Sequence, residues 1–466
     1  MSSQSLTPKK IYFLNEASLE EKDILGVKGA NLCEMNRAGL PVPPAFTCTT
    51  QNCIDFYREN KLNPEFISVV KAAVRKLEGQ TSRIFGGGVK EGERPLLLSV
   101  RSSASTAMPG VMSTVLNLGM NDEIYNALCT VTNNVKWVLK IYIRFIQMFG
   151  TVVLHVNPKK YSEIVEMVCM RANVTSEALL RTDYLLVLLE KFQAVAHIPS
   201  NPWEQLFMAI ESCFTAWHSP VSTKYRDVHN LPLDQGIAVT VQSMVYGNWN
   251  MNSGTGVLHT RNPQTGVNDM DMHGLFLANA EGEEVTVGLR TPMTLADLHI
   301  QRPEIYKQLC KIAADLERHY KDMQEIEFTV EDGSIYVLET RAGKRSALAA
   351  VVIAVSMVKE ELVTEHEALL RINPRLLEFF HHRMLHPEYA VPDDPHVRPL
   401  VVAKCKPGAL GVVSGKIALT NAQALDFHAK GEPCILVKKE INEKDIDALK
   451  VRSTHDSRLC RCCIIR

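Results

Sequence analysis

Short apolar runs and longer helical patterns are mixed in the first quarter of the chain. Residues 10–115 contain apolar runs at Ile11–Leu14 and Leu96–Val100, together with a helical pattern over Cys53–Glu78. This mixture is typical of α/β structure. The stretch that follows the second run, residues 100–119, is rich in small residues and is predicted to form a loop.

The pattern becomes helical between about residue 120 and residue 230, where apolar residues recur with a period near 3.6. The predicted helices are Glu123–Cys129, Lys136–Phe149, Ser162–Met170, Leu179–Ala196 and Trp203–Trp217. The most apolar long stretch is Val135–Val156. It carries Lys136, Lys140 and Arg144 at i, i+4 spacing, which indicates a buried helix with one charged stripe and not a membrane span.

Strand patterns dominate residues 235–342. The predicted strands are Ala238–Tyr246, Gly256–Thr260, Leu275–Ala278, Glu325–Val330 and Ser334–Glu339. An Ala- and Val-rich helix is predicted at Ser346–Glu361, and a Pro- and His-rich linker follows at Pro374–Pro399. The sequence therefore predicts two α/β regions that are separated by a helical insertion.

Composition and charge exclude several classes of protein. The chain has 466 residues, 46% of them hydrophobic, and a net charge of −1. That charge gives no electrostatic footprint for nucleic acid or for a membrane surface. The twelve cysteines are mostly scattered singly, which favours reduced thiols over a disulfide framework, and Met1–Lys10 lacks the apolar core of a secretory signal. We expect a cytoplasmic protein, with an organellar location left open.

Two basic residues are candidates for phosphate binding. Arg101 lies among Ser, Thr and Gly residues, and a planar guanidinium with hydroxyl and backbone N–H donors suits a polyphosphate. Lys28 precedes Gly29 in a stretch predicted to be a glycine-flanked turn, where little bulk would keep a phosphate away. The alternatives are a structural salt bridge for Arg101 and a solvated loop position for Lys28.

Three carboxylates are predicted to converge on one hairpin face. Glu325 and Glu327 are two residues apart on a predicted strand, and Glu339 lies on the next strand. Carboxylates held together repel one another unless a cation neutralises them, so a Mg²⁺ site shared with phosphates is one interpretation. The other is an exposed acidic face that is neutralised by Lys344 and Arg345.

Ordered motifs along the chain resemble the pyruvate, phosphate dikinase family. They are Gly26-Val27-Lys28-Gly29-Ala30-Asn31-Leu32, the segment 100–119 with Met108-Pro109-Gly110, Met244-Val245-Tyr246-Gly247-Asn248, Thr260-Arg261-Asn262-Pro263, Glu325-Ile326-Glu327-Phe328 and Thr340-Arg341-Ala342-Gly343. The resemblance implies an α/β (α+β) fold: an ATP-grasp-like, two-lobed nucleotide-binding domain with a helical insertion, followed by part of a swivelling phosphohistidine domain. The implied divisions are two lobes at 1–119 and 235–345, the insertion at 120–234, a helical linker at 346–399, the partial phosphohistidine domain at 400–450, and a divergent, disordered tail at 451–466.

The resemblance also implies roles for residues and cofactors. Lys28, Arg101 and Arg341 are the expected catalytic residues, and ATP and Mg²⁺ the expected cofactors. The expected nucleotide-binding residues are Lys28, Arg101, Met108, Gly110, Gln242, Met244, Gly254, Gly256 and Glu283, and the expected metal ligands are Glu325, Glu327 and Glu339. The segment from Gln242 to Val245 resembles the family's hinge, whose backbone contacts the edge of adenine, with Met244 as apolar cover. Taken alone, this segment is equally compatible with a buried strand, and Gly254 and Gly256 are equally compatible with a bulge.

The chain departs from the family pattern at positions that bear on activity. Glu325 replaces the usual Asp, while Glu339 and Glu281 each replace a Gln. The change at position 339 puts a negative charge beside phosphate, so metal binding is expected to tolerate it better than phosphate binding. These departures are compatible with a nucleotide site that has drifted from the family pattern.

The resemblance implies an ATP-binding, kinase-type phosphotransferase module. The family reaction converts ATP, phosphate and pyruvate to AMP, diphosphate and phosphoenolpyruvate. The chain lacks the family's Gly-Gly-x-Thr-Ser-His segment and pyruvate-binding barrel, so it is expected not to complete that reaction alone. Expected partners are nucleotide, phosphate and a phosphohistidine acceptor domain in trans, with no nucleic acid or membrane and with a homodimer left open. The alternatives are a non-catalytic nucleotide-binding regulator, a truncated isoform product and a structural fragment without a ligand.

Overall fold

The computed structural model describes residues 9–90, 92–106, 108, 113–231, 235–268, 272–280, 291–381, 405–406, 415–438 and 461–465. The chain divides into two compact units. The first comprises Met1–Pro263 and Val267–Lys344, and the second comprises Gln264–Gly266 and Arg345–Arg466. Both contain helices and strands, so the mixed α/β class expected from the sequence is confirmed.

One antiparallel sheet of the first unit collects strands from distant parts of the chain. Its strands are β1 (Ile11–Phe13), β2 (Ala45–Cys48), β3 (Leu98–Ser103), β4 (Thr114–Leu118) and β5 (Ala238–Ser243). Their order is β1-β2-β5-β3-β4. Strand β5 therefore pairs with both β2 and β3, which brings residues near positions 45, 99 and 242 together.

The second antiparallel sheet of this unit is built from one region of the chain. It contains β6 (Gly254–His259), β7 (His273–Ala278), β8 (Met293–Thr294), β9 (Gln324–Glu331) and β10 (Ser334–Ala342), in the order β10-β9-β6-β7-β8. Alternate residues of β9, such as Ile326 and Phe328, are fully buried. The period-2 pattern predicted the β9–β10 hairpin correctly.

Helices of the first unit follow the sequence pattern closely in the central region. They are α1 (Lys22–Arg37), α2 (Thr50–Glu59), α3 (Pro64–Thr81), α4 (Asp122–Thr132), α5 (Val135–Val152), α6 (Pro158–Ala172), α7 (Thr182–Val195), α8 (Pro202–Ala216), α9 (Pro220–Val228), α10 (Leu295–Gln301) and α11 (Pro303–Tyr320), with 3₁₀ turns at Leu19–Glu21 and Glu177–Leu179. Among the described residues, no helix is both long and apolar enough to cross a bilayer.

The helical pattern predicted over Cys53–Glu78 is confirmed as helical, but the structure divides it into two helices, α2 and α3. Asn60 adopts a left-handed conformation and ends α2. The side chain of Asn63 then accepts a hydrogen bond from Glu65 N, and Pro64 occupies the first turn of α3. These are ordinary stop and start signals that the apolar periodicity masked.

Two apolar cores hold the first unit. One packs the central helices against the first sheet and includes Phe149 and Phe214. The other joins α1 and α11 to the second sheet, where Phe276 and Phe328 stack with ring centroids 6.1 Å apart. Burial of this apolar area fixes the backbone from which the strands of both sheets present polar side chains.

Two sequence expectations about the phosphate-binding candidates need correction. Arg101 was expected in a loop, but it lies within β3, paired with β4 and β5. Lys28 was expected in a turn, but it lies in α1, two residues after a kink at Gly26 (φ 67°, ψ 166°). Both β3 near Arg101 and α1 near Lys28 are rich in small and hydroxylic residues. Apolar and polar positions therefore alternate too weakly there for the sequence to indicate a strand or a helix.

The second unit contains helices α12 (Ala347–Lys359), α13 (Glu365–Arg371) and α14 (Asn421–Ala429), a 3₁₀ segment at Pro374–His381, and a sheet of β11 (Cys405–Lys406), β12 (Lys416–Ala418), β13 (Cys434–Lys438) and β14 (Arg461–Ile465). The sheet order is β11-β14-β13-β12. The prediction of a disordered tail is wrong for Arg461–Ile465, which pairs in parallel with β13. The high strand propensity of Ile464 and Ile465 in this segment favours that pairing.

Candidate nucleotide site

A cavity of about 380 Å³ lies in the first unit and is lined by residues from both of its sheets and from α1. This volume falls in the range of small-molecule sites. Seven of the residues expected to bind nucleotide or metal line it: Lys28, Arg101, Gln242, Met244, Gly256, Glu327 and Glu339. Side chains that are more than two hundred positions apart in the sequence therefore meet around one space.

Close packing of Gly26 against β3 places Lys28 in the cavity wall. A Cβ at Gly26 would lie 2.4 Å from the carbonyl oxygen of Ser103, so only glycine fits there. The backbone N–H of Lys28 donates to Ser103 Oγ at 2.9 Å, and Val27 N donates to Ala104 O at 2.9 Å. These contacts fix the part of α1 that follows the kink beside the strand that carries Arg101.

Arg101 is held by an amide. Its Nη2 donates to the side-chain oxygen of Gln242, while Gln242 Nε2 donates to the carbonyl oxygen of Pro43 at 3.0 Å. Burial lowers the pKa of Arg101, and the negative charges of Glu339 and Glu327 oppose that shift. Burial likewise lowers the pKa of Lys28, with the positive charge of Arg101 as the next cause.

A β-bulge brings two carboxylates face to face. Val337 pairs with Phe328, but Glu339 pairs with Glu327, so Leu338 is an extra residue in β10. Regular alternation from the fully buried Val337 would have turned position 339 toward the apolar core. The bulge instead places Glu339 opposite Glu327, where both line the cavity.

Charge repulsion marks this carboxylate pair. Burial raises the pKa of Glu327, and Glu339 raises it further, while Arg341 acts in the opposite direction. A bound cation would relieve both the burial cost and the repulsion. The donor set therefore fits Mg²⁺, which prefers one or two carboxylates plus phosphate oxygens and water.

Glu325 is engaged differently from the two carboxylates that line the cavity. It accepts a hydrogen bond from Arg341 Nη2 at 2.5 Å and lies 3.7 Å from His259 Nε2. Although burial alone would raise the pKa of Glu325, the hydrogen bond and charge of Arg341 lower it. Arg341 Nη2 also approaches Glu327 Oε1 at 3.8 Å, which puts Arg341 at the edge of the site.

The three expected metal ligands consequently do not form a preassembled site. In the described parts of the chain, no group of three or more His, Cys, Asp or Glu side chains is arranged to hold a metal ion. Glu327 and Glu339 remain as a pair, and Glu325 is tied to Arg341. Any metal bound here would need further oxygen ligands from a substrate or from water.

Several other expected binding residues do not line the cavity. Met108 is buried in the apolar core of the helical region. A Cβ at Gly254 would lie 2.0 Å from the ring of Phe276, so packing explains this glycine. The strand pairing around Gly254 and Gly256 is regular, without the bulge considered as an alternative. Gly110 and Glu283 lie outside the described residues.

Sequence reasoning missed polar residues in the wall of the cavity and next to it. Asn117 lines it with a left-handed backbone (φ 58°) inside β4 and accepts a hydrogen bond from Tyr246 Oη at 2.9 Å. Nearby, the buried Glu331 pairs with Arg94 at 2.6 and 2.9 Å and accepts from Tyr246 N at 2.7 Å. Two features of the sequence could have indicated these residues: the single Asn117 within a strand, and the charged Glu331 at the end of an apolar strand.

Comparison with known proteins gives a consistent result. The family pattern described as pyruvate phosphate dikinase, AMP/ATP-binding domain, matches residues 22–296 and 277–362. The chain is 38% identical to pyruvate, phosphate dikinase of Clostridium symbiosum over 95% of its own length and 50% of the relative's. It is also 38% identical to the chloroplastic pyruvate, phosphate dikinase 1 of Arabidopsis thaliana, over 96% of its own length and 46% of the relative's. The chain thus spans about half the length of the curated relatives it matches.

Proposed function

This chain belongs to the pyruvate phosphate dikinase family, and on that premise we propose that its cavity binds ATP through the triphosphate, together with Mg²⁺, as a phosphotransferase module. The two sheets that flank the cavity suit an ATP-grasp-like arrangement, in which nucleotide is held between sheets. The observation that carries the proposal is the meeting of Lys28 and Arg101 with the carboxylate pair Glu327 and Glu339 in one cavity.

Each group has a role that its chemistry suits. Lys28 and Arg101 would bind phosphate oxygens and stabilise charge on the transferred group. Glu327 and Glu339 would hold Mg²⁺, which supplies charge neutralisation between the phosphates when bound. Arg341, at the edge of the site, would exchange part of its contact with Glu325 for a phosphate.

Calorimetric titration of the whole chain with ATP tests this proposal. We expect saturable binding that strengthens when Mg²⁺ is added, because the cation offsets the repulsion between the carboxylates and the phosphates. In Arg101→Met, ATP affinity should fall by about tenfold to a hundredfold. Arg58→Met is the matched control, since Arg58 is an exposed residue of α2 outside this cavity. Absence of heat at millimolar ATP would refute the proposal.

The acidic residue at position 339 favours a second candidate function, which is nucleotide binding without turnover. Glu339 adds a negative charge where the family pattern has an uncharged amide, and it faces the phosphate-binding residues. Incubation with γ-labelled and β-labelled ATP, with and without a separately expressed phosphohistidine domain of a relative, distinguishes the two. Label on the acceptor that disappears in Arg101→Met supports transfer, whereas tight binding without label supports a regulator.

A further inference from the structure

The orientation of the Gln242 side chain is chemically forced. Gln242 is 2% exposed, and its Nε2 donates to the carbonyl oxygen of Pro43 at 3.0 Å. Its Oε1 is therefore left to accept from Arg101 Nη2. The opposite amide orientation would set its two donors against a guanidinium that can only donate, and an oxygen against a carbonyl oxygen.

Sheet register explains why these three groups meet. Gln242 of β5 pairs with Ser99 of β3 on one side and with Ala45 of β2 on the other. Arg101 is two residues beyond Ser99, and Pro43 is two residues before Ala45. Residues at diagonal positions i and j±2 lie on the same face of a sheet and within reach of long side chains. The central strand β5 thus places the side-chain amide of Gln242 between the carbonyl oxygen of Pro43 and the guanidinium of Arg101.

Arg101 differs from two other arginines of this unit, Arg94 and Arg261, in the kind of partner it has. Arg94 pairs with the carboxylate of Glu331, and Arg261 pairs with the carboxylate of Glu317. In the described residues, no carboxylate lies within ion-pair distance of Arg101, and its hydrogen bond goes to the neutral amide of Gln242. A carboxylate partner at hydrogen-bond distance would neutralise the positive charge directly, whereas an amide orients the guanidinium without neutralising it. Only the more distant charges of Glu339 and Glu327 then act on Arg101.

We propose that Gln242 is a positioning residue, whose side-chain oxygen aims the Arg101 guanidinium into the cavity while preserving its positive charge for the β- or γ-phosphate of a nucleoside triphosphate. This inference rests on the proposed function, because it assigns to Arg101 the binding of a phosphate. It differs from the sequence expectation, which placed Gln242 at the adenine through its backbone.

Two substitutions at Gln242 test separately the acceptor that orients Arg101 and the absence of a negative charge beside it. Gln242→Met retains the length of the side chain but removes the acceptor, and ATP affinity should fall by about tenfold to a hundredfold. Gln242→Glu retains the shape and the acceptor, but it loses the donor to Pro43 O and supplies a carboxylate, and ATP affinity should fall at least as far. In both variants, AMP affinity should change less than about twofold, because AMP lacks the phosphates that Arg101 binds.

A merely structural role for Gln242 would lower ATP and AMP affinity in parallel, which would overturn the inference. Gln324→Glu is the matched control for burying a carboxylate, since Gln324 is 3% exposed and does not line the cavity. It should leave ATP affinity unchanged. Thermal unfolding of each variant shows whether it is folded. If either Gln242→Glu or Gln242→Met does not fold, the other variant still tests the inference.

A double-mutant cycle on the whole chain completes the test. In the Arg101→Met background, adding Gln242→Met should change ATP affinity by less than about twofold, because the group that it positions is gone. Full additivity of the two effects would overturn the inference. If the unsubstituted chain fails to bind ATP, the proposed function itself is wrong. If that chain binds ATP and Gln242→Met binds it equally well, only the role of Gln242 is wrong.

Discussion

Glu327 and Glu339 lie directly opposite each other on neighbouring strands because Leu338 is accommodated as an extra residue in β10. Both carboxylates line the cavity that Lys28 and Arg101 also line. The bulge thus creates a site where negative and positive groups are close but incompletely paired. Such a site is suited to a ligand that carries both phosphates and a cation.

Removing one carboxylate should make nucleotide binding less dependent on magnesium. In Glu339→Gln, we expect ATP affinity without Mg²⁺ to rise by about threefold to tenfold, because one repulsive charge is lost. The gain from adding Mg²⁺ should shrink. Calorimetric titration with and without Mg²⁺ measures both effects. Glu59→Gln, an exposed position on α2, is the control, and an equal gain there would contradict this explanation.

Metal binding should depend on pH through Glu327. Burial and Glu339 raise the pKa of Glu327, and a metal ligand must be ionised. Metal affinity should therefore rise with pH through that raised pKa and level off above it. Mn²⁺ titrations over roughly pH 4 to 8 measure this. In Glu327→Gln, the residual affinity should lose this part of the pH dependence. An unchanged profile would show that another group controls it.

The same raised pKa predicts the pH dependence of stability without ligand. The protonated carboxyl of Glu327 is favoured in the folded chain, so its contribution is fully present below the ordinary pKa of glutamate. It is lost as pH rises through the raised pKa. Glu327→Gln should be more stable than the unsubstituted chain above that range. Denaturant unfolding of the two proteins at several pH values measures the difference, and equal stability at every pH would contradict the assignment.

Substitution at Gly26 should damage both folding and the site. Gly26→Ala places a methyl group 2.4 Å from Ser103 O at a positive φ. Gly39→Ala is the control, because Gly39 also has a positive φ (78°) but has nothing within 4 Å of its added Cβ. We expect Gly39→Ala to lower the free energy of unfolding by about 1 kcal/mol, and Gly26→Ala by about 2 kcal/mol more. Equal losses would show that the contact with Ser103 is unimportant.

The ion cluster around Glu331 should contribute strongly to stability. Glu331 is 5% exposed and pairs with both Arg94 and Arg83. Glu331→Gln leaves two partly buried cations without their carboxylate, so the free energy of unfolding should fall by about 3 kcal/mol. Asp315→Asn removes an exposed ion pair with Arg318 and should change it by less than about 0.5 kcal/mol. Denaturant unfolding compares them, and similar small changes would contradict the prediction.

Local patterns predicted the elements that local physics determines. The apolar period identified α5 and α8 in the helical region, and strict alternation identified the β9–β10 hairpin. Both segments bury one well-defined face, so their residue pattern directly reports their environment.

Features that depend on distant pairing partners were missed, although parts of the strands that carry them were predicted. Arg101 lies in a strand because β3 pairs with β5, which follows well over a hundred residues later. The position of Glu339 depends on the bulge at Leu338, which regular alternation does not predict. The side-chain role proposed for Gln242 depends on the register of three strands. None of these long-range pairings leaves a local sequence signal.

A crystal structure of the whole chain with a non-hydrolysable ATP analogue and Mn²⁺ would show whether the cavity binds the triphosphate. We expect phosphate oxygens within hydrogen-bond distance of Lys28 and Arg101, with anomalous density for Mn²⁺ between the phosphates and the Glu327–Glu339 pair. A nucleotide bound elsewhere on the chain, or phosphates that contact neither Lys28 nor Arg101, would contradict it.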